Sequence, residues 1–158
     1  TIRERVMFDN KKYFFDDLEI GQTFDMGGAV LSKEKIIEFA KEYDPQIFHL
    51  DEEVGTAILG GLAASGWQTA ALCQRMLVDH FLDDVACMAS PGVENLNFVR
   101  PVFADDPLTG TTTIAEKRLS KSNPSKGLVK LKGEVKNSKG EVVLSMIGLI
   151  LVAVRPEA

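Results

Sequence analysis

Two side chains capable of moving protons lie five residues apart in the segment Asp44-Pro45-Gln46-Ile47-Phe48-His49, and His49 is one of only two histidines in the chain. A carboxylate and an imidazole together can bind a water, take a proton from it and return one, which is general acid–base chemistry. Ile47 and Phe48 are apolar, so the segment is expected to pack inward and carry both groups with it. Burial would raise the carboxylate's pKa and lower the imidazole's, bringing both toward neutral pH. The alternative on spacing alone is structural, with Asp44 and His49 each capping a helical turn. The second histidine, His80, follows Asp79 at the end of an apolar stretch; the dipole favours a cation in a last helical turn, and that is its reading.

Gly66 supplies a third element. A glycine at the mouth of a buried helix lets a ligand approach the backbone, and the free N–H groups there form an oxyanion site. A tight turn against a sheet would ask for the same residue. An acid–base pair with an oxyanion donor is the minimum set for adding water across an α,β-unsaturated thioester: the donor holds enolate charge while the pair handles the protons. Other chemistries lack their residues. No serine or cysteine sits in a nucleophile elbow, Gly60-Gly61 has no Walker lysine, and no metal constellation stands out, so no metal site is expected.

These groups must be positioned by elements that the pattern supplies. Ser32 reads as an N-cap, and Ile36, Ile37, Phe39, Ala40 and Tyr43 follow at helical spacing, which predicts a helix over Lys33 to Tyr43. Pro45 stops it and pushes Asp44 out of the helical region. Pro45 to Gly61 reads as irregular, with a short helical turn around Asp51 to Ala57. From Gly66 or Trp67 to about Asp79 runs a helix apolar nearly all round, expected to be buried on most sides. The segments Gln22 to Asp25, Val93 to Val99, Leu108 to Leu119, Leu128 to Lys136 and Val142 to Val154 read as strands. The first bends at Gly27-Gly28, and Lys139-Gly140 turns a hairpin between the last two. Val142 to Val154 is apolar on both faces, as a central strand or one in a subunit interface would be. Thr1 to Glu19, with Phe8, Tyr13, Phe14 and Phe15, reads as an arm lying over the main domain. The whole is a curved antiparallel meander wrapped around one long helix, in a single domain spanning 1–158.

Composition narrows the partners. The chain has 158 residues, 45% hydrophobic and 26% charged, with formal net charge -5, so neither nucleic acid nor an anionic membrane surface is an expected partner. Its longest apolar run, Val142 to Val154, is shorter than the ~17–25 residues a bilayer span needs. Cys73 and Cys87 sit in apolar surroundings and read as reduced. No signal peptide is visible, and the expectation is a cytoplasmic protein.

Asp44-Pro45-Gln46-Ile47-Phe48-His49-Leu50-Asp51, followed by Gly60-Gly61-Leu62-Ala63-Ala64-Ser65-Gly66-Trp67, resembles the MaoC-like dehydratases, a group that includes R-specific enoyl-CoA hydratases. Phe98-Val99-Arg100-Pro101-Val102 and Asp105-Asp106-Pro107-Leu108 extend the likeness, which runs from about Phe15 to Val154. The resemblance implies an α+β hot-dog fold, a homodimer with a shared sheet, and an acyl-CoA thioester substrate, with no cofactor beyond the coenzyme A of that substrate. By position it makes Asp44 and His49 the water-activating pair and Gly66 the oxyanion donor. It makes Gln46, Phe48, Ser65 and Trp67 substrate-binding positions. Gln46 stands for the family's asparagine and would orient the pair; Ser65 and Trp67 stand where hydratases carry histidine and methionine. Trp67 would reshape the acyl pocket or simply pack in the core. The basic stretch from Lys117 and Arg118 through Ser120 to Gly127 would meet coenzyme A phosphates or form a solvated hairpin tip. Two rivals to a hydratase remain on these residues, an acyl-CoA thioesterase and a non-catalytic acyl-CoA-binding module.

Overall fold

The computed structural model describes Arg3 and residues 7–157; Thr1, Ile2, Glu4, Arg5 and Val6, where the expected N-terminal arm begins, and Ala158 lie outside the described residues. Five strands, β1 (Thr23–Ala29), β2 (Cys87–Phe98), β3 (Leu108–Leu119), β4 (Lys126–Lys136) and β5 (Val142–Ala153), form one antiparallel sheet in the order β1-β3-β4-β5-β2. Between β1 and β2 the chain makes α1 (Lys33–Tyr43), α2 (Ile47–Leu50), α3 (Glu52–Leu59) and α4 (Gly66–His80). The register shift in β1 falls between Asp25 and Gly28, at the glycine pair that marked a bend. The β4–β5 turn is closed by Gly140 donating its N–H to the Asn137 carbonyl. No helix of the described residues is long and apolar enough to cross a membrane.

Helix α4 lies across the concave face. Its buried side chains, Gln68, Thr69, Cys73, Met76 and Leu77, recur at helical spacing and meet inward residues of the sheet such as Ile114, Leu131 and Leu144. Its other face carries Trp67, Ala71, Gln74 and Val78 into solvent. The expectation of burial on most sides is thus corrected: apolar composition all round does not bury a helix that has one layer to pack against. Phe14, Phe15 and Leu18 are buried beside the sheet. Lys117 fastens this segment, donating from Nζ to the Phe15 and Leu18 carbonyls at 2.9 and 2.6 Å with its ammonium above the Phe15 ring.

Two further readings change. The helical turn expected around Asp51 to Ala57 is there as α3, but the rest of Pro45 to Gly61 is less irregular than expected, because α2 adds a further turn and α3 runs on to Leu59. Asp51 caps α3 by accepting the Val54 N–H at 2.9 Å, and Gly60 ends it at φ 92°. Strand β2 begins at Cys87 rather than Val93. Among the described residues it is an edge strand paired with β5 alone, where a proline at Pro91 removes no ladder bond on the open side, and its register shift between Ala89 and Gly92 absorbs the irregularity.

Candidate functional site

Asp44 is the residue at which α1 ends. Its φ of −149° and ψ of 66° lie outside the helical region, which Pro45 disfavours for its predecessor, and its N–H still bonds the Ala40 carbonyl. The carboxylate is therefore held by backbone on one side and released from the helix on the other. One-turn helix α2 then returns His49 to it, with the His49 N–H on the Gln46 carbonyl at 2.9 Å. His49 is buried, and its Nε2 lies 3.4 Å from Asp44 Oδ2.

Hydrogen bonding settles the tautomer. His49 Nδ1 is 2.7 Å from the Ala63 carbonyl, which can only accept, so Nδ1 carries the hydrogen and Nε2 is the nitrogen that gains or loses a proton. At 3.4 Å the Nε2–Oδ2 contact is longer than a charge-assisted hydrogen bond of ~2.7–2.9 Å. Asp44 makes its short bonds elsewhere. Gln46 Nε2 donates to Oδ1 and Ser65 Oγ to Oδ2, each at 2.7 Å. These two donors, the Gln46 bond foremost, hold the Asp44 pKa below the ordinary carboxylate value against the opposing effect of burial, with His49 adding to the lowering. The expectation that burial raises this pKa is reversed, because hydrogen bonds to the charged form outweigh desolvation. Asp44 is a stable carboxylate at neutral pH.

Ser65 also explains the open end of α4. It occupies the N-cap position, yet its side chain makes no cap bond because the hydroxyl is committed to Asp44. Among the described residues, the N–H groups of Gly66 and Trp67 have no acceptor. Two donors at the positive end of a helix are left beside an acid–base pair. Gly66 has a packing reason as well: a Cβ there would fall 2.4 Å from the Phe98 ring.

Of these groups His49, Ala63 and Gly66 line a cleft of about 220 Å³, together with Thr69, Phe98 and Arg100 among others, while Asp44, Gln46 and Ser65 stand behind His49 outside its lining. The site residues expected from sequence divide clearly. Asp44, His49, Gln46, Ser65 and Gly66 come together. Phe48 is half-buried with its ring edge-on to the His49 imidazole, centroids 4.5 Å apart. Ile47, expected to turn inward, is 55% exposed, so α2 buries its histidine and not its isoleucine. Trp67 lies outside both the cleft lining and the core; it is exposed, with its ring edge-on to Phe98 at 5.4 Å. Lys117 serves the fold, and the Ser120–Ser125 loop is tied by its own hydroxyls to Asn123, as a solvated tip would be. Sequence reasoning missed the Ala63 carbonyl and the Ser65–Asp44 bond. It also missed Arg100, which sits on the cleft rim with Nη1 on the Val142 carbonyl at 2.9 Å and Nε 3.4 Å from Glu141.

An antiparallel sheet wrapped on one long helix, with this cluster at the helix mouth, is a hot-dog architecture of the α+β class. A family model described as "MaoC like domain" matches residues 17–137, and the chain belongs to this family of MaoC-like dehydratases. It is similar to a solved MaoC-like dehydratase from Rhodospirillum rubrum, with 38% identity, 92% of this chain and 99% of that chain covered, and a TM-score of 0.85. A solved protein described as a monoamine oxidase regulatory protein from Archaeoglobus fulgius is 26% identical over 91% of this chain and 96% of its own, at a TM-score of 0.82. The uncharacterized protein YdeM of Bacillus subtilis (strain 168) is 33% identical over 106 residues, 65% of this chain and 74% of YdeM. Family membership supports a hydratase or dehydratase role.

Proposed function

We propose that the chain adds water to a 2-enoyl-CoA to give a 3-hydroxyacyl-CoA, or runs the reverse dehydration. The observation that carries this reading is the orientation of His49: with Nδ1 on the Ala63 carbonyl, Nε2 faces a carboxylate kept ionised by Gln46 and Ser65, beside the open N–H of Gly66. In the forward direction a water is held between Asp44 and His49. His49 Nε2 takes one proton while the water oxygen attacks C3, and Asp44 stabilises the imidazolium. The electron pair moves to the thioester oxygen, where the Gly66 N–H holds the enolate. His49 then returns its proton to C2, so one water adds in full and no redox group or metal takes part. Arg100 offers a cation at the rim for the anionic coenzyme.

Self-association belongs to the same reading. Among the described residues strand β2 has one edge unpaired, and it exposes Met88, Val93 and Phe98, which a second copy of the chain would cover as a homodimer.

The test is a crotonyl-CoA assay that follows loss of enoyl absorbance and free thiol together. Hydration without thiol release is expected, and His49→Ala or Asp44→Asn should lower kcat/KM by about 10²–10⁴ with the thermal transition retained. Thiol release as the main product would make the chain a thioesterase, and binding without turnover would make it a binding module. Full hydration by either variant would overturn the assigned roles.

A further inference from the structure

Two hollows follow one another along α4. The first is the cleft at His49; the second, of about 240 Å³, lies between α4 and the sheet. Three elements pass from one to the other in the same order. On α4 the cleft takes Gly66 and Thr69, and the rear cavity takes Cys73 and Leu77. On β5 the cleft takes Val143 and the rear cavity Met146; on β2 the cleft takes Phe98 and the rear cavity Val93. No residue lines both. Thr69 and Cys73 are four residues apart, about 6 Å at ~1.5 Å per residue, so a single layer of side chains separates the hollows.

That layer is made by the residues that come between on the two strands. Leu144 stands between Val143 and Met146 on β5, opposite Val135 and Phe98, and is 0% exposed. Leu96 stands between Val93 and Phe98 on β2, half-buried against the core, and lines neither hollow. It owes its place to a bulge. Strict alternation from Val93, which faces the rear cavity, would turn Asn95 and Asn97 inward and Leu96 and Phe98 outward. Between Glu94 and Asn97 the β2–β5 register shifts, and Asn95 takes a left-handed φ of 49°. The extra residue reverses the alternation: both asparagines are exposed, Leu96 meets the core and Phe98 the cleft. A positive φ on a residue other than glycine is costly, and here it lays an apolar side chain across the end of the cleft.

The cleft so closed is apolar apart from His49, Thr69 and Arg100, and smaller than the ~300–1,000 Å³ usual for small-molecule pockets. The thioester and the attacked double bond must share it. An acyl chain running along α4 from the Gly66 N–H meets Leu96 and Leu144, and a packed interior does not admit extra methylenes without strain.

Resting on the hydratase reading above, we infer that Leu96 closes the acyl end of the cleft and restricts the protein to short-chain 2-enoyl thioesters, with the rear cavity outside the substrate's reach. Leu96 rather than Leu144 is the position at which the limit can be moved, because it lies on the edge strand and its loss leaves the central strand β5 intact.

The test is a ratio, kcat/KM for 2-decenoyl-CoA over that for crotonyl-CoA, in which any loss of folded protein cancels. The wild-type ratio should be about one-tenth or less; were the longer chain covered, each methylene would instead raise kcat/KM about fourfold. Leu96→Ala joins the two hollows and should raise the ratio about tenfold or more, and Leu96→Met, of similar volume, should not. Gly148→Val fills the rear cavity, where the nearest atom to a Cβ is 4.0 Å away. Alone it should leave the ratio unchanged; combined with Leu96→Ala it should reverse the gain. A wild-type ratio of one or more, a ratio unmoved by Leu96→Ala, or a ratio lowered by Gly148→Val alone overturns the inference. Calorimetric titration of butyryl-CoA and decanoyl-CoA, neither of which can be hydrated, gives the same comparison free of the chemistry. A preference there for the shorter thioester that Leu96→Ala removes, with no hydration of any enoyl-CoA, overturns the hydratase reading and upholds the Leu96 limit. Equal affinities with hydration intact overturn the limit alone, and binding of neither thioester overturns both.

Discussion

The pair at Asp44 and His49 divides its labour through its neighbours. Ser65 is fully buried and gives its hydroxyl hydrogen to Asp44 Oδ2, so it is a positioning residue for the carboxylate. Ser65→Ala removes one of the two bonds that lower the Asp44 pKa, so that pKa should rise and the acid limb of the kcat/KM profile should move to higher pH. The linked stability has a defined sign. A carboxylate whose folded pKa is depressed contributes stability above its unfolded value, near ~3.9, and loses it as pH falls through the folded value. Ser65→Ala should therefore cost about 1–3 kcal/mol at pH 7, as expected for a hydrogen bond to a charged group, and the gap should narrow in denaturant melts below about pH 4. A pH profile that overlays the wild type would show that Ser65 does not set the protonation of Asp44. None of this was legible in the chain order. Ser65 is 21 positions from Asp44, and the Ala63 carbonyl that fixes the His49 tautomer is 14 from His49. The residue types in the Asp44–His49 segment pointed to proton transfer, but the direction of the Asp44 shift depended on two donors that only the fold brings near.

At the scale of the elements, the small helices that carry His49 depend on one close approach. Gly55 lies inside α3, where glycine is normally ~1 kcal/mol worse than alanine. A Cβ at Gly55, however, would meet the Gly61 carbonyl oxygen at 2.9 Å and the Phe48 carbonyl oxygen at 3.0 Å, both backbone atoms that no rotamer change can move. Overpacking outweighs propensity here, so Gly55→Ala should destabilise by about 1–3 kcal/mol rather than stabilise. Because Phe48 adjoins His49, hydration should fall further than the melting temperature implies. A Gly55→Ala protein as stable and active as the wild type would contradict this packing. The elements with strong local signals were legible: α1, with Ser32 accepting the Lys35 N–H, has the bounds its spacing predicts, and so does β3. Where the signal was short or interrupted it was not. Helix α2 has one turn, too few residues to show a period, and Pro91-Gly92 in β2 looks like a turn until the strand is seen to lie at an edge.

The whole molecule raises the question of what that edge does. β2 pairs with β5 and has nothing on its other side among the described residues, yet it displays Met88, Val93 and Phe98 at 39%, 53% and 46% exposure. A long apolar edge is an aggregation hazard unless it is covered, and a twofold axis covers it with its own copy in antiparallel pairing. Pro91 lacks an N–H, so pairing would run through the Val93–Phe98 half, where Asn95 takes a left-handed φ of 49° at a bulge between Glu94 and Asn97. That half also brings Phe98 to the cleft, so an assembled edge and a complete site should be lost together. Val93→Lys places a charge on the edge, and it should shift a dimer toward monomer in sedimentation velocity at micromolar concentration. Hydration should fall in step with the dimer fraction and recover as protein concentration is raised. A wild-type chain that sediments as a monomer while fully active would overturn the assembly and make the exposed strand a surface for some other partner. Identical masses for wild type and Val93→Lys would place the subunit contact away from β2.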